Sequence, residues 1–543
     1  MKLRSKFLRE PFSRLCLLAL MVTPMLIGAC TPLQNFTTSK PAQFTPNQAT
    51  EVFAAGYGGI SEKYIDAVSV EEIALEGLRG LGAIDPDLTV TRTPSKSALK
   101  PDTKKAQGTD VVLQAAGEEI IRRPAPPADD INGWASLTTE FSVAARQASL
   151  DLQSSGMETI YEAVFDGVLS NLDIFSRYSG ADEARSNRSK RDGFGGIGIR
   201  YKAREGLPML TSILPKTPAE KAGLKKGDIL THANGVSLKD LGRKAISVML
   251  RGPTQTRVAL TFLRPGESQP RTVSLKRAHI FPVTVTQTIK DGIVTLKVSS
   301  FNQDTARSLS EKLETARSRL GDKMLGVVLD LRGNPGGLLK QSVKVADLLL
   351  TQGKIISTRG RHADSIHHYE AGGRDLASGL PVVVLVDGKS ASAAEIVAAA
   401  LQDRDRAVVI GTASFGKGSV QTVLRLPNDG EITLTWSRLV APSGYMFHGL
   451  GIRPTICTSG LKDRPVEIVS RIMQNRSIIE DMLLAWRKPA MQAEETRNRL
   501  RESCPSQRRH KGLELQIARH LITRPALFAR ALDLTAATHQ ARN

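Results

Sequence analysis

Aromatic side chains are scarce in this chain, at 5%, and only four of its 543 residues are cysteine. No aromatic residues are interleaved among basic runs to stack on bases, so the net charge of +20 points to a solvated basic surface near anionic lipid and not to nucleic acid. No cluster of His, Cys and carboxylate residues has metal-ligand spacing, and His367-His368 has the pattern of an exposed pair, so neither a metal nor a cofactor is expected. The longest apolar stretch, Leu15 to Ile27, is short for a membrane span and is interrupted by Pro24. Acidic residues are missing altogether between Ala407 and Leu426, and that gap bears on the chemistry.

Two apolar, β-branched runs, Pro381–Val386 and Ala407–Ile410, each end at a turn and read as buried strands, with the helix-forming stretch Ala393–Leu401 between them. The first turn, Gly388-Lys-Ser-Ala-Ser392-Ala-Ala-Glu395, delivers a hydroxyl, and the second, Ser414-Phe-Gly-Lys417-Gly-Ser-Val-Gln421, delivers an amine. Open α/β sheets assemble sites at the carboxyl ends of strands, so Ser392 and Lys417 form a candidate nucleophile–base pair. Lysine acts as a base only when neutral, and its ordinary pKa of about 10.4 must be lowered by apolar burial. Phe415, Val420 and Val423 are expected to pack round it, and Gln421 to orient the amine. Two plainer readings stay open: Ser392 as the helix cap of a Ser-x-x-Glu box, with Ser390 as the alternative cap, and Lys417 as a solvated amine. A third segment, Met324–Asp330 followed by Leu331-Arg-Gly-Asn-Pro-Gly336-Gly337, opens onto an amphipathic helical stretch. Its Gly-Gly turn offers backbone N–H groups to a developing oxyanion.

Two phosphate-binding look-alikes fail. Gly411 to Lys417 nearly spells a P-loop, but Gly418 stands where a magnesium-binding hydroxyl is required. Gly193 to Gly198 spells a dinucleotide fingerprint, but charged residues precede it in place of a strand.

Together these segments resemble the carboxyl-terminal processing peptidases, or tail-specific proteases. The resemblance rests on the Ser-Ala-Ser392 and Phe-Gly-Lys417-Gly-Ser-Val-Gln421 motifs, on Leu331–Gly337 and on Pro442–Ile452, and it runs from about residue 150 to 456. It implies Ser392 as nucleophile, Lys417 as general base, Gln421 as its orienting partner, and an oxyanion hole from the N–H groups of Ala393 and of Gly336 or Gly337. Ala394 and Thr455 depart from the family pattern at positions given no chemical role. Gly196-Ile197-Gly198-Ile199 resembles the carboxylate-binding loop of a PDZ domain, with Pro218–Leu230 and Asn234-Gly235 as further matches. Such a loop would hold the C-terminal tail of a protein or peptide while the tail adds as a strand. A catalytically silent PDZ adaptor is the alternative reading of the whole chain.

At the N-terminus, five basic residues precede the apolar run, which ends in Leu26-Ile-Gly-Ala-Cys30. That ending resembles a bacterial lipobox, which implies lipidation of Cys30, a bacterial periplasmic location and, from Thr31, an outer-membrane anchor; an ordinary signal peptide or an uncleaved anchor are the alternatives. Cys457 and Cys504 are then left as a candidate disulfide in an oxidising compartment.

The expected organisation is a multidomain α/β chain: a ClpP/crotonase-like protease core with an inserted, β-rich PDZ domain and helical terminal regions. Its segments are 1–29 signal peptide, 30–50 tether, 51–190 helical region with an exposed or disordered insertion at 89–130, 191–278 PDZ domain, 279–460 catalytic core and 461–543 basic helical region. The last carries 16 basic against 9 acidic residues and is expected to be a solvated cap or a docking arm. An adaptor protein or a homo-oligomeric partner is compatible with the chain, and nothing in it selects one.

Overall fold

The computed structural model describes residues 45–95, 108–488, 493–506 and 512–540. Cys30, and with it the lipidation expectation, lies outside them.

Residues 279–460 are built on a six-stranded sheet in the order Val285–Lys290, Ile293–Val298, Gly326–Asp330, Val382–Val386, Ala407–Gly411 and Ile456–Cys457. The first pair is an antiparallel hairpin and the other neighbours are parallel. Every residue of the three central strands is buried, as their uninterrupted apolar sequences require of strands covered on both faces. Alternate side chains point to opposite faces. Val327, Leu329, Val382, Val384 and Val386 pack with the helices Thr305–Leu320, Leu339–Asp347 and Ala393–Asp403. Val328, Val383, Leu385, Val408 and Ile410 pack with Ile468, Ile472, Ile517, Leu521 and Phe528 of the C-terminal helices. The basic C-terminal region is therefore the second cover of the core sheet: its apolar stripe packs on the strands, and most of its described charged side chains are exposed or half-buried, with Arg487 and Glu514 buried.

A second sheet, His367–Ala371, Gly353–Arg359, Glu431–Val440 and Ser419–Arg425 in that order, also takes up Arg177–Ser179 beside Glu431–Val440. Its outward apolar residues Leu426, Ile432 and Leu434 join Phe53, Tyr57, Trp134, Phe141 and Phe165 in the core of the N-terminal helical region. Of the stretch 89–130, expected to be exposed or disordered, residues 96–107 lie outside the described residues, and the rest supplies a three-stranded antiparallel sheet of Leu88–Pro94, Thr109–Ala115 and Glu118–Pro124. Val90, Val111 and Leu113 anchor it in the helical core. Its alternation of Thr with Val is a strand signal that the surrounding Pro and Lys obscure.

Residues 199–276 form a separate small sheet in the order Arg271–Lys276, Arg257–Leu263, Ile229–Ala233, Leu207–Ile213 and Ile199–Arg204, with a core of Leu210, Leu230, Val258, Leu260 and Phe262. Ile199–Arg204 is its edge strand. Cys457 and Cys504 are joined by a disulfide.

Candidate active site

Ser392 is the residue before the helix Ala393–Asp403 and sits at φ 55°, a left-handed backbone that costs a non-glycine residue about 1–3 kcal/mol. Buried neighbours hold that strain. The Ser392 N–H donates to Glu395 Oε2 at 2.7 Å, and the Ala391 N–H donates to the Asn334 carbonyl at 2.9 Å. Ser392 and Glu395 form the Ser-x-x-Glu capping box at the start of this helix. Ser390 is engaged elsewhere: its hydroxyl accepts from the Asp387 N–H at 2.9 Å and donates to the Leu331 carbonyl at 2.9 Å, lacing this turn to the glycine-rich one.

Glu395 is fully buried and has a second set of partners that its place in a capping box does not announce. Oε1 accepts from Ser414 Oγ at 2.5 Å and from the Gly416 N–H at 2.7 Å, and Oε2 also accepts from the Lys417 N–H at 2.9 Å. One carboxylate thus ties the serine turn to the lysine turn. Burial pushes its pKa up, and the four hydrogen bonds oppose that rise.

Lys417 lies over the ring of Phe175, with Nζ 4.7 Å from the ring centroid. Of the side chains expected round the amine, Val420 and Val423 line the cavity with Lys417, whereas Phe415 is exposed at 49%. The aromatic cover comes instead from Leu172-Asp-Ile-Phe175-Ser-Arg177, more than two hundred positions away in sequence. Desolvation lowers the Lys417 pKa, the nearby Arg177 lowers it further, and Asp173 and Glu395 oppose them. His448 packs edge-on against Phe175, and burial pushes it down to about 4, so it is neutral at pH 7.

Ser392, Lys417 and Gln421 line one cavity of about 440 Å³, with Arg177, Leu338 and Ile396 among its walls. Among the described residues no hydrogen bond joins the serine hydroxyl to the lysine amine, and catalytic hydrogen bonds commonly tighten only around substrate. Gln421 Nε2 donates to Ser419 Oγ at 2.9 Å and Thr435 Oγ1 at 3.2 Å, which fixes the amide and leaves its oxygen as the group able to meet an ammonium. The glycine turn is asymmetric. The Gly336 N–H donates to Asn334 Oδ1 at 2.8 Å, so it is committed, whereas among the described residues the N–H groups of Gly337 and Ala393 make no such bond. A Cβ on Gly336 would come within 2.9 Å of the Ser392 Cβ, so the close approach of the two turns requires glycine there.

The P-loop look-alike Gly411–Lys417 runs into the strand Ser419–Arg425 and not into a helix, and the helix Ala181–Asp192 precedes Gly193–Gly198, so neither has the setting a nucleotide needs. Gly196, Ile197, Gly198 and Ile199 line a second cavity of about 220 Å³ with Leu214, Leu250 and Arg251. Gly198 lies at φ 84° against Thr217. No group of three or more metal-ligating side chains is present among the described residues.

The model of peptidase family S41 matches residues 292–458, and a PDZ domain model matches 209–264. A carboxy-terminal-processing protease of Bartonella bacilliformis is 38% identical over 301 residues, covering 55% of this chain and 69% of the relative. This chain belongs to the carboxy-terminal-processing proteases of family S41. A probable CtpA-like serine protease of Staphylococcus aureus is 30% identical over 316 residues, covering 58% of this protease and 62% of the relative. A solved photosystem II D1 C-terminal processing protease is 25% identical, covers 57% of this chain and 87% of its own, and superposes with a TM-score of 0.32. The S41 match ends at residue 458, so the C-terminal helices of this processing protease lie beyond the family model.

Proposed function

We propose that this protease cleaves proteins near their C-terminal tails, with Ser392 as nucleophile and Lys417 as general base. One observation carries the reading: the two side chains line the same cavity, the serine on strained backbone and the amine desolvated over Phe175. Ser392 Oγ attacks the scissile carbonyl and its proton passes to neutral Lys417 Nζ. The oxyanion so formed faces the N–H groups of Gly337 and Ala393. Collapse of the tetrahedral intermediate breaks the C–N bond, and Lys417 gives the proton to the departing amine. Water then attacks the acyl-enzyme, again losing its proton to Lys417; collapse breaks the C–Oγ bond, Lys417 returns that proton to Ser392 Oγ, and the product leaves as a carboxylic acid that ionises in solvent.

The PDZ module supports tail capture as the first step. Its edge strand Ile199–Arg204 offers unpaired backbone to an extended peptide, and the loop Gly196–Ile199 offers the terminal carboxylate a set of N–H donors.

The test is cleavage of an unfolded reporter protein with a free apolar C-terminus, followed by mass spectrometry. Ser392→Ala and Lys417→Arg should both abolish cleavage while binding of the tail persists, since guanidinium does not become a neutral base. Turnover by either variant at the wild-type rate would overturn the dyad. Tail binding without cleavage by the wild-type protein would favour a PDZ adaptor.

A further inference from the structure

Lys417 rides on the loop Gly411–Gly418, whose glycines at 411 and 416 lie at φ 143° and 95°. Glycine backbone of this kind does not hold itself in place. The amine must nevertheless arrive beside the Ser392 hydroxyl within a fraction of an ångström. Part of what holds the loop comes from beyond the family-matched segment. Arg501, partly buried at the end of the helix Glu494–Glu502, donates Nη1 to the Ser414 carbonyl at 3.1 Å and to the Leu450 carbonyl at 2.5 Å. Among the described residues it has no carboxylate in salt-bridge contact.

Ser414 is where this contact meets the active site. Its N–H donates to the Ile452 carbonyl at 3.1 Å, its Oγ accepts from the Ile452 N–H at 2.6 Å, and the same Oγ donates to Glu395. Glu395 in turn holds the N–H groups of Ser392, Gly416 and Lys417. Two hydrogen-bonded residues therefore separate Arg501 from both members of the pair. The segment that follows is fastened to the same loop. The Ala413 N–H donates to the Cys504 carbonyl at 3.3 Å, Ser506 Oγ donates to the Ala413 carbonyl at 2.8 Å, and Cys504 is joined to Cys457, whose strand pairs with Gly411. Arg501 also faces Glu395 electrostatically, burial pulling its own pKa down and the carboxylate pulling it up.

We propose that Arg501 is a positioning residue of the active site: through Ser414 and Glu395, and with the disulfide-tied segment behind it, it sets the loop that delivers Lys417 to Ser392. Arg501 does not line the catalytic cavity, so its effect falls on turnover and not on substrate binding. The inference rests on the reading of Ser392 and Lys417 as the dyad.

The experiment uses the full-length, oxidised protein and a quenched-fluorescent peptide ending in a free apolar residue, with kcat and KM measured separately. Arg501→Met should lower kcat by about 10²-fold, the scale expected of a small misplacement of a catalytic group. KM should stay within about threefold. Arg501→Lys keeps a cationic donor in reach of the two carbonyls and should restore most of the lost turnover. Arg499→Met, exposed on the same helix, should match the wild type. Cys457→Ser with Cys504→Ser should lower kcat in the same direction and by less. Wild-type kcat in Arg501→Met would overturn the proposal. So would a loss in Arg501→Met that Arg501→Lys fails to restore, or one that follows a fall in melting temperature in both variants. Ser392→Ala runs alongside: if it still cleaves, the dyad itself has failed, and if it is inactive while Arg501→Met is unimpaired, only the positioning role has.

Discussion

The two faces of the core sheet are equally buried but built in different ways. On one face the covering helices lie between consecutive strands of the sheet, and they bring the functional turns with them: Leu339–Asp347 follows the Gly336-Gly337 turn and Ala393–Asp403 begins at Ser392. On the other face, Pro465–Gln474, Leu513–Ile522 and Pro525–Gln540 all come after the last strand and carry no residue of the cavity. The difference teaches a division of labour. Local crossover connections place chemistry at strand ends, while a distant segment supplies the apolar burial that the same strands need. Each fully buried Leu or Ile there contributes about 1.5–3 kcal/mol. Residues 497–506 run against that division, since they leave the covering layer and reach back to the lysine loop.

The largest expected effect breaks the functional face. Glu395→Gln keeps the shape but replaces an acceptor oxygen with an NH₂ group facing N–H and O–H donors. At least one buried donor loses its partner, at a cost of about 1–3 kcal/mol each, and both turns are freed to shift. We expect kcat to fall by about 10²-fold or more, with the far-ultraviolet circular dichroism of the wild type. Retained turnover would mean that the carboxylate only supports the fold. The next effect belongs to the covering face. Leu521, with 0% of its surface exposed, packs against the strands, so Leu521→Ala should cost about 2–5 kcal/mol in denaturant unfolding. Its kcat per folded molecule should be unchanged. A parallel loss of kcat would erase the distinction between the faces.

The same contrast explains what could be read from residues alone. Strands Val382–Val386 and Ala407–Gly411 and the turns after them were legible, because an apolar run ended by Gly or Ser is a local signal. Hydrophobic pattern reports that a strand is covered on both sides but not by what, so the charge of the helices after residue 464 points to a solvated cap or a docking arm and not to a cover of the sheet. Glu395 was legible as a capping residue three positions from Ser392. Its hold on Gly416 and Lys417 was not, since those partners are set by the juxtaposition of two loops. Phe175 was missed as the cover of Lys417 for the same reason, and the nearer Phe415 turned out to face solvent. Gly336 and Gly337 were indistinguishable in sequence, and only the Asn334 side chain separates their N–H groups.

The smallest effect sharpens the comparison by giving the functional face a stability cost. Desolvation, with Arg177 adding to it, holds the Lys417 pKa below its ordinary value, Asp173 and Glu395 opposing them. A lysine depressed on folding binds its proton more weakly in the native state than in the unfolded chain, whose value is about 10.4. Its penalty is fully present below the folded pKa and disappears as pH rises past the unfolded one. Lys417→Met should therefore melt above the wild type at neutral pH, and the gap should close as pH approaches about 10.4. The lost contact with Phe175, about 0.5–1 kcal/mol for a cation over an aromatic ring, works against the gain and keeps the net change small. Melting curves of both proteins across that pH range decide the matter. A gap that stays constant with pH, or that favours the wild type at neutral pH, would show that the site does not disfavour the ammonium and that Lys417 is not prepared to act as a base.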